Sequence, residues 1–185
     1  MIFNEQSTLE DLIAGCVRQE RLAQKYLYQK FYSPMFAIAM RYSADEDQAA
    51  HILNAGFLKV FTKIDSYSQS GSFPAWVKRI IVNTALDEIR RNNKHKSNLQ
   101  IQEVHEPALS DSIIDKLKAE DLLKTIQQLP EMTRIVFNMY AVEGYKHQEI
   151  AEKLSIPVGT SKWHVSTGRK LLKEKLAHYL TETQR

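Results

Sequence analysis

The chain has 185 residues, 43% of them hydrophobic, with only 6 glycines and 5 prolines, a composition that fits a folded globular protein and excludes collagen-like and low-complexity classes. No apolar run reaches the roughly 20 residues of a membrane-spanning helix, and a single cysteine, Cys16, excludes an internal disulfide and any multi-cysteine zinc site. The net charge of +3 is unevenly spread: residues 76–96 carry six Lys/Arg against two Asp/Glu and residues 159–175 five against one, so two basic islands sit in an acidic remainder and are expected to face anions.

The opening MIFNEQSTLEDL lacks the basic-then-apolar pattern of a secretion signal, so a cytoplasmic location is expected. STLEDLIAGC begins with a capping-box pattern, Ser7 and Glu10, and predicts a first helix. Cys16 falls in its apolar row and reads as a buried small hydrophobe. Leu22, Tyr26 and the aromatics near Phe31 predict a second helix and Pro34 starts a third; the Tyr/Phe cluster from Tyr26 to Phe36 is expected in the core. Asp47 leads a fourth, in which Ala49, Ile52, Leu53, Gly56, Phe57 and Val60 recur at helical spacing. Gly56 weakens that helix by about 1 kcal/mol relative to alanine.

After the loop SYSQSGS comes a fifth helix, GSFPAWVKRIIVNTALDEIRR, with Ser72 as N-cap and Pro74 in its first turn. Val77, Ile80, Ile81 and Thr84 share a core-facing stripe. Trp76, Arg79, Asn83, Asp87, Arg90 and Lys94 form a neighbouring stripe where solvent is expected. A tryptophan, an asparagine and three cations in one row ask for more than a solvated helix face.

Residues 95–115 are polar, mixed in charge and broken by Pro107, and read as a flexible linker. A helix over 117–129 stops at Pro130, and EMTRIVFNMYAVE ends at Gly144, a left-handed C-cap. HQEIAEKL, the turn SIPVG and the basic TSKWHVSTGRKLLKEKL then form a helix-turn-helix pattern. Ile150, Ala151 and Leu154 pack its first helix; Ser161, Val165, Gly168 and Leu172 face inward from the second, with Thr160 as N-cap. Lys162, Trp163, Ser166, Thr167, Lys170 and Lys173 occupy the opposite side, cations and hydroxyls suited to phosphates and base edges in a major groove. The expected fold class is all-α, two small helical domains joined by a flexible linker: five helices over 1–95, the linker at 96–116, and four helices over 117–185 containing the helix-turn-helix.

The order of these signals resembles the extracytoplasmic-function group of bacterial RNA polymerase sigma factors, which carry the second and fourth conserved sigma regions. LYQKFYSPMFAIAMRY and GSFPAWVKRIIVNTALDEIRR are similar to the first of these, and LPEMTRIVFNMYAVEGYKHQEIAEKLSIPVGTSKWHVSTGRKLL to the second. The resemblance implies a protein that binds RNA polymerase core and directs promoter recognition and transcription initiation. It implies that the stripe meets the melted minus-ten element, where aromatic stacking and cations hold a single strand: Tyr67, Phe73, Trp76, Lys78, Arg79, Asn83, Arg90, Arg91 and Lys94. The loop from Tyr67 to Phe73 is similar to the segment that captures a flipped base. For the minus-thirty-five element it implies Tyr140, Thr160, Lys162, Trp163, Ser166, Thr167 and Lys170.

The fourth helix resembles the one that docks on the clamp of the largest polymerase subunit, through Ile52, Leu53, Asn54 and Phe57. The stretch AHILNAGF departs from the usual pattern there: Ala50, His51, Asn54 and Ala55 stand where two acids, a glutamine and a further acid are usual. The implied partners are core polymerase, promoter DNA and an anti-sigma factor, with no small-molecule substrate. The histidines lack a metal-binding spacing, and no phosphate loop or nucleophile set is present, so no enzyme, cofactor or metal is expected. The alternative is a helix-turn-helix regulator with a helical sensor domain.

Overall fold

A computed structural model describes residues 3–68, 71–94 and 125–182. The chain divides into two units, Met1–Ile89 and Arg90–Arg185, and every regular element among the described residues is helical. The linker expected at 96–116, and the start of the helix expected at 117, lie outside the described residues.

In the first unit α1 spans Leu9–Val17. Its N-cap is Thr8, whose Oγ1 accepts from the Asp11 N–H at 3.1 Å; Ser7, the expected cap, accepts instead from Asn4 N–H at 2.9 Å. The helix closes with Glu20 N–H on Gly15 C=O and Gln19 N–H on Cys16 C=O, a turn that sets Gln19 at φ 58°. Next, α2 spans Arg21–Tyr42 without a break, so the two helices expected around Pro34 are one. Proline removes one amide and disfavours a helical residue before it. Here Pro34 sits on the exposed side, while Leu27, Phe31, Met35, Ile38 and Tyr42 are buried on both sides of it. Shared burial across the proline outweighs the local penalty.

Asp45 caps α3, Glu46–Lys63, by accepting from Gln48 N–H at 2.8 Å; a 3-10 turn, Ile64–Ser66, follows. Then α4 spans Phe73–Lys94, its first bond running from Trp76 N–H to Ser72 C=O at 3.1 Å, so Ser72 is the N-cap the sequence predicts. The described part of this unit therefore has four α-helices, not five. Val77, Ile81, Val82, Thr84, Ala85, Leu86 and Ile89 of α4 are all buried, a wider face than the predicted stripe. Ile80 stays half-buried at its edge. Of the aromatic cluster from Tyr26 to Phe36 only Phe31 is core; Tyr32 is exposed and stacks on Phe36, centroids 5.6 Å apart. Cys16 is fully buried, and burial pushes its thiol up to about 12.

The glycine in α3 has a packing reason. A Cβ at Gly56 would lie 2.4 Å from Ile81 Cδ1 and 3.5 Å from Ile81 Cα, with Ile81 itself fully buried. Alanine there gains about 1 kcal/mol of helix propensity but overpacks the α3–α4 contact at about 1–3 kcal/mol. Gly56→Ala is expected to lower the stability of this unit by about 1 kcal/mol in urea unfolding, the opposite sign to the propensity argument.

In the second unit, residues 125–127 are helical ahead of Pro130. Then α5 spans Glu131–Phe137 and widens into a π-turn over Asn138–Val142, and Gly144 takes the left-handed φ of 76° predicted for it. Next, α6 is His147–Leu154, closed by Ser155 at φ 56°. The last helix, α7, is Val158–Glu182, with Ser161 N–H on Pro157 C=O at 3.2 Å. It starts earlier than predicted, so Thr160 lies inside the helix rather than capping it. Ile150, Leu154, Val165 and Leu172 are buried as expected, with Ile126, Leu129 and Leu172 packed together under Phe137 and Leu171. A Cβ on Gly168 would meet Phe137 Cδ2 at 2.9 Å and Thr133 Cγ2 at 3.3 Å, which shows how closely α7 lies on α5.

Candidate nucleic-acid interface

With so wide a face of α4 buried, one strip is left to solvent, and it is the predicted one. Arg79, Arg90 and Arg91 are exposed there, and Trp76, Asn83 and Asp87 are half-buried. Lys78, two residues on from Trp76, is half-buried on the other side of the helix and not part of the strip, and the side chain of Lys94 lies outside the described residues. The two acids of this helix are engaged from α3. Lys59 Nζ is 3.2 Å from Asp87 Oδ2, and His51 Nε2 is 3.6 Å from Glu88 Oε1. Exposed pairs of this kind contribute little to stability, but Lys59 offsets the charge of Asp87, and the exposed arginines leave the strip positive.

At the N-terminal end of the strip three aromatics meet. Phe73 lies 5.1 Å from Tyr67 and 5.6 Å from Trp76, and Tyr67 lies 5.5 Å from Trp76, all between ring centroids. Phe73 also packs on Phe31 at 5.6 Å and is 2% exposed. It is the floor of the group rather than a ring open to a base, because its side chain points into the α2–α4 core. Tyr67, its hydroxyl donating to Gly71 C=O, and Trp76 are the half-exposed rings above it.

The predicted polymerase-docking residues separate. Ile52 and Leu53 are fully buried and Phe57 nearly so, placing all three in the interior, since their i, i+1, i+5 spacing is the inward face of α3. Asn54 is at the surface, with Oδ1 accepting from Tyr28 Oη at 2.8 Å. Beside it His51 is exposed and Leu58 is 65% exposed. The sequence reading missed Leu58, although it lies four residues after Asn54 and so on the same face.

On α7, Lys162, Lys170 and Lys173 are exposed and Trp163, Ser166 and Thr167 half-exposed, a single surface as predicted. Thr160 is not part of it: it is buried, its Oγ1 without a hydrogen-bond partner among the described residues. Tyr140 is half-buried between the His147 ring, stacked at 4.5 Å, and the Arg169 guanidinium at 5.7 Å.

Two histidine contacts hold α7 in place. His147 Nδ1 is 3.0 Å from Ser161 Oγ, joining α6 to α7, and His164 Nδ1 is 3.0 Å from Thr133 Oγ1, joining α5 to α7. Arg134 is buried, donating Nη1 to Gln127 C=O at 3.1 Å. Burial lowers its pKa, with Glu131 opposing. None of these roles has a local sequence signal, because the partners are as far as 31 residues apart. No group of His, Cys, Asp or Glu among the described residues is placed to hold a metal.

Burial also lowers the His164 pKa below its ordinary 6.5. A histidine depressed in the folded state binds protons more readily when unfolded, so its contribution is intact above 6.5 and declines as pH falls below it. The second unit is therefore expected to melt at a lower temperature at pH 5 than at pH 7.5. His164→Gln should reduce that difference in thermal melts followed by circular dichroism; an unchanged difference would assign the effect to other groups.

Comparison with known proteins gives both units a counterpart. Residues 27–95 match Sigma-70 region 2, and residues 119–172 match Sigma-70, region 4. The first match takes the place of the sensor domain in the alternative reading. The chain is 24% identical over 195 residues to the RNA polymerase sigma-H factor of Pseudomonas aeruginosa, covering 98% of this chain and 100% of that one. It is 26% identical over 154 residues to the ECF RNA polymerase sigma factor SigE of Mycolicibacterium smegmatis, covering 80% of this chain and 60% of that protein. A solved sigma factor RpoE, in complex with the anti-sigma factor NepR from Bartonella quintana, aligns with a TM-score of 0.47 at 22% identity over 83% of this chain and 96% of that one. With the two sigma-70 regions in order along its length, and extracytoplasmic-function sigma factors among its relatives, the chain belongs to the extracytoplasmic-function group of RNA polymerase sigma factors.

Proposed function

We propose that the chain is an alternative sigma factor that binds RNA polymerase core in the cytoplasm and directs it to promoters. In this reading 1–95 binds core and the melted minus-ten element, 96–116 is a linker, and 117–185 reads the minus-thirty-five element. The observation that carries it is the α4 strip: half-exposed Trp76 over a buried aromatic floor, followed by Arg79, Asn83 and Arg90 on the helix face left open to solvent. Stacking plus backbone-tracking cations is what an unpaired strand requires, since its base faces are uncovered. Core docking through α3 falls to Asn54 and its exposed neighbours His51 and Leu58, while Ile52, Leu53 and Phe57 support them from beneath. An anti-sigma factor that holds the free chain inactive completes the proposal; catalysis belongs to the polymerase. The test is transcription by purified core polymerase on a library of genomic fragments. Transcripts that start from a shared pair of promoter elements only when the chain is added support the reading, and chain-independent starts overturn it.

A further inference from the structure

We propose that Trp163 is a specificity-determining residue that selects a thymine in the duplex element read by α7, through contact between its indole and the thymine methyl. This rests on the reading of α7 as the duplex-reading helix. The indole stands in the second turn of α7, half-exposed, with Lys162 and Lys170 exposed and Ser166 and Thr167 half-exposed around it. The N-terminal turns of a recognition helix are those that reach base edges. One turn earlier, a Cβ built on Gly159 meets no atom within 4 Å, so the approach beside the ring is open.

A ring on a flexible surface side chain would carry little information, and this one is held. It meets the His164 ring edge to face, centroids 4.8 Å apart at 71°. His164 is in turn fixed by the 3.0 Å contact from Nδ1 to the buried Thr133 of α5. The chain of contacts runs from the interior of the unit to the indole, so His164 is a positioning residue for Trp163.

The chemistry of the groove names the target. In a duplex the base faces are covered by stacking, and only edges are available. Those edges are hydrogen-bond donors and acceptors with one apolar exception, the thymine methyl in the major groove. A large apolar ring set among lysines that hold phosphates therefore meets one complementary feature. Sugars would offer apolar contact as well, but with no preference among sequences.

The test uses the full chain with core polymerase and a duplex selected by that complex from a randomised pool. Each thymine of the selected element is replaced in turn by deoxyuridine, which removes only the methyl. One position is expected to lose affinity roughly 5- to 30-fold, and the same replacement should have no effect with Trp163→Ala. Circular dichroism and the salt dependence of binding serve to show that the variant is folded and still contacts phosphates. Equal sensitivity to deoxyuridine in both proteins, no sensitive position, or a selected element without thymine overturns the assignment while leaving the promoter-binding reading standing. Failure of the complex to select any duplex removes both.

Discussion

Arg79→Ala combined with Arg90→Ala is expected to lower permanganate reactivity of the minus-ten region by on the order of tenfold or more, two charge-assisted contacts to an unpaired strand being lost together. Both side chains are exposed on α4, and neither belongs to the buried face formed by Val77, Ile81, Leu86 and Ile89. The fold should therefore be unchanged, and the complex with core polymerase should still elute intact from a sizing column. Higher salt should weaken the wild type and narrow its advantage, as expected for phosphate contacts. If the double variant instead loses core polymerase to the same extent, the strip is part of the polymerase interface and the assignment to DNA fails.

Phe73→Ala should act through the other side of the same site. The ring is buried and touches Phe31, Tyr67 and Trp76, so its removal leaves a cavity at about 3–5 kcal/mol, a large share of the 5–15 kcal/mol that typically holds a domain. Urea unfolding followed by circular dichroism should show one transition moved to much lower denaturant and the transition of the second unit unmoved. Phe73→Leu, which keeps most of the volume, should recover the greater part. A loss well under 2 kcal/mol with strand capture abolished would return Phe73 to the role the resemblance implies, direct contact with a base.

That reversal shows where the sequence was legible. Periodicity placed the cationic row of α4 and the inward set Ser161, Val165, Gly168 and Leu172 of α7 correctly, because a helix face depends only on spacing. Spacing alone does not fix which end of an aromatic run is covered. Phe73 became interior because α2 passes over it, and α2 continues through Pro34 because burial on either side outweighs the proline. The same limit explains Ile52, Leu53 and Phe57: a motif match gave them a partner, while their register pointed them into the core. The contacts of His164 with Thr133 and of His147 with Ser161 were out of reach, since each depends on how two separate helices pack.

The two indoles have a practical consequence. The chain holds only two tryptophans, Trp76 in the first unit and Trp163 in the second, each partly open to solvent. Replacing one by phenylalanine leaves the other as a single native fluorophore within one unit, with no dye to attach. In stopped-flow mixing, emission from the Trp163-only protein would time the encounter with duplex, and emission from the Trp76-only protein the later opening of the strands. The order and separation of the two steps in promoter engagement can be read as two optical traces from one chain.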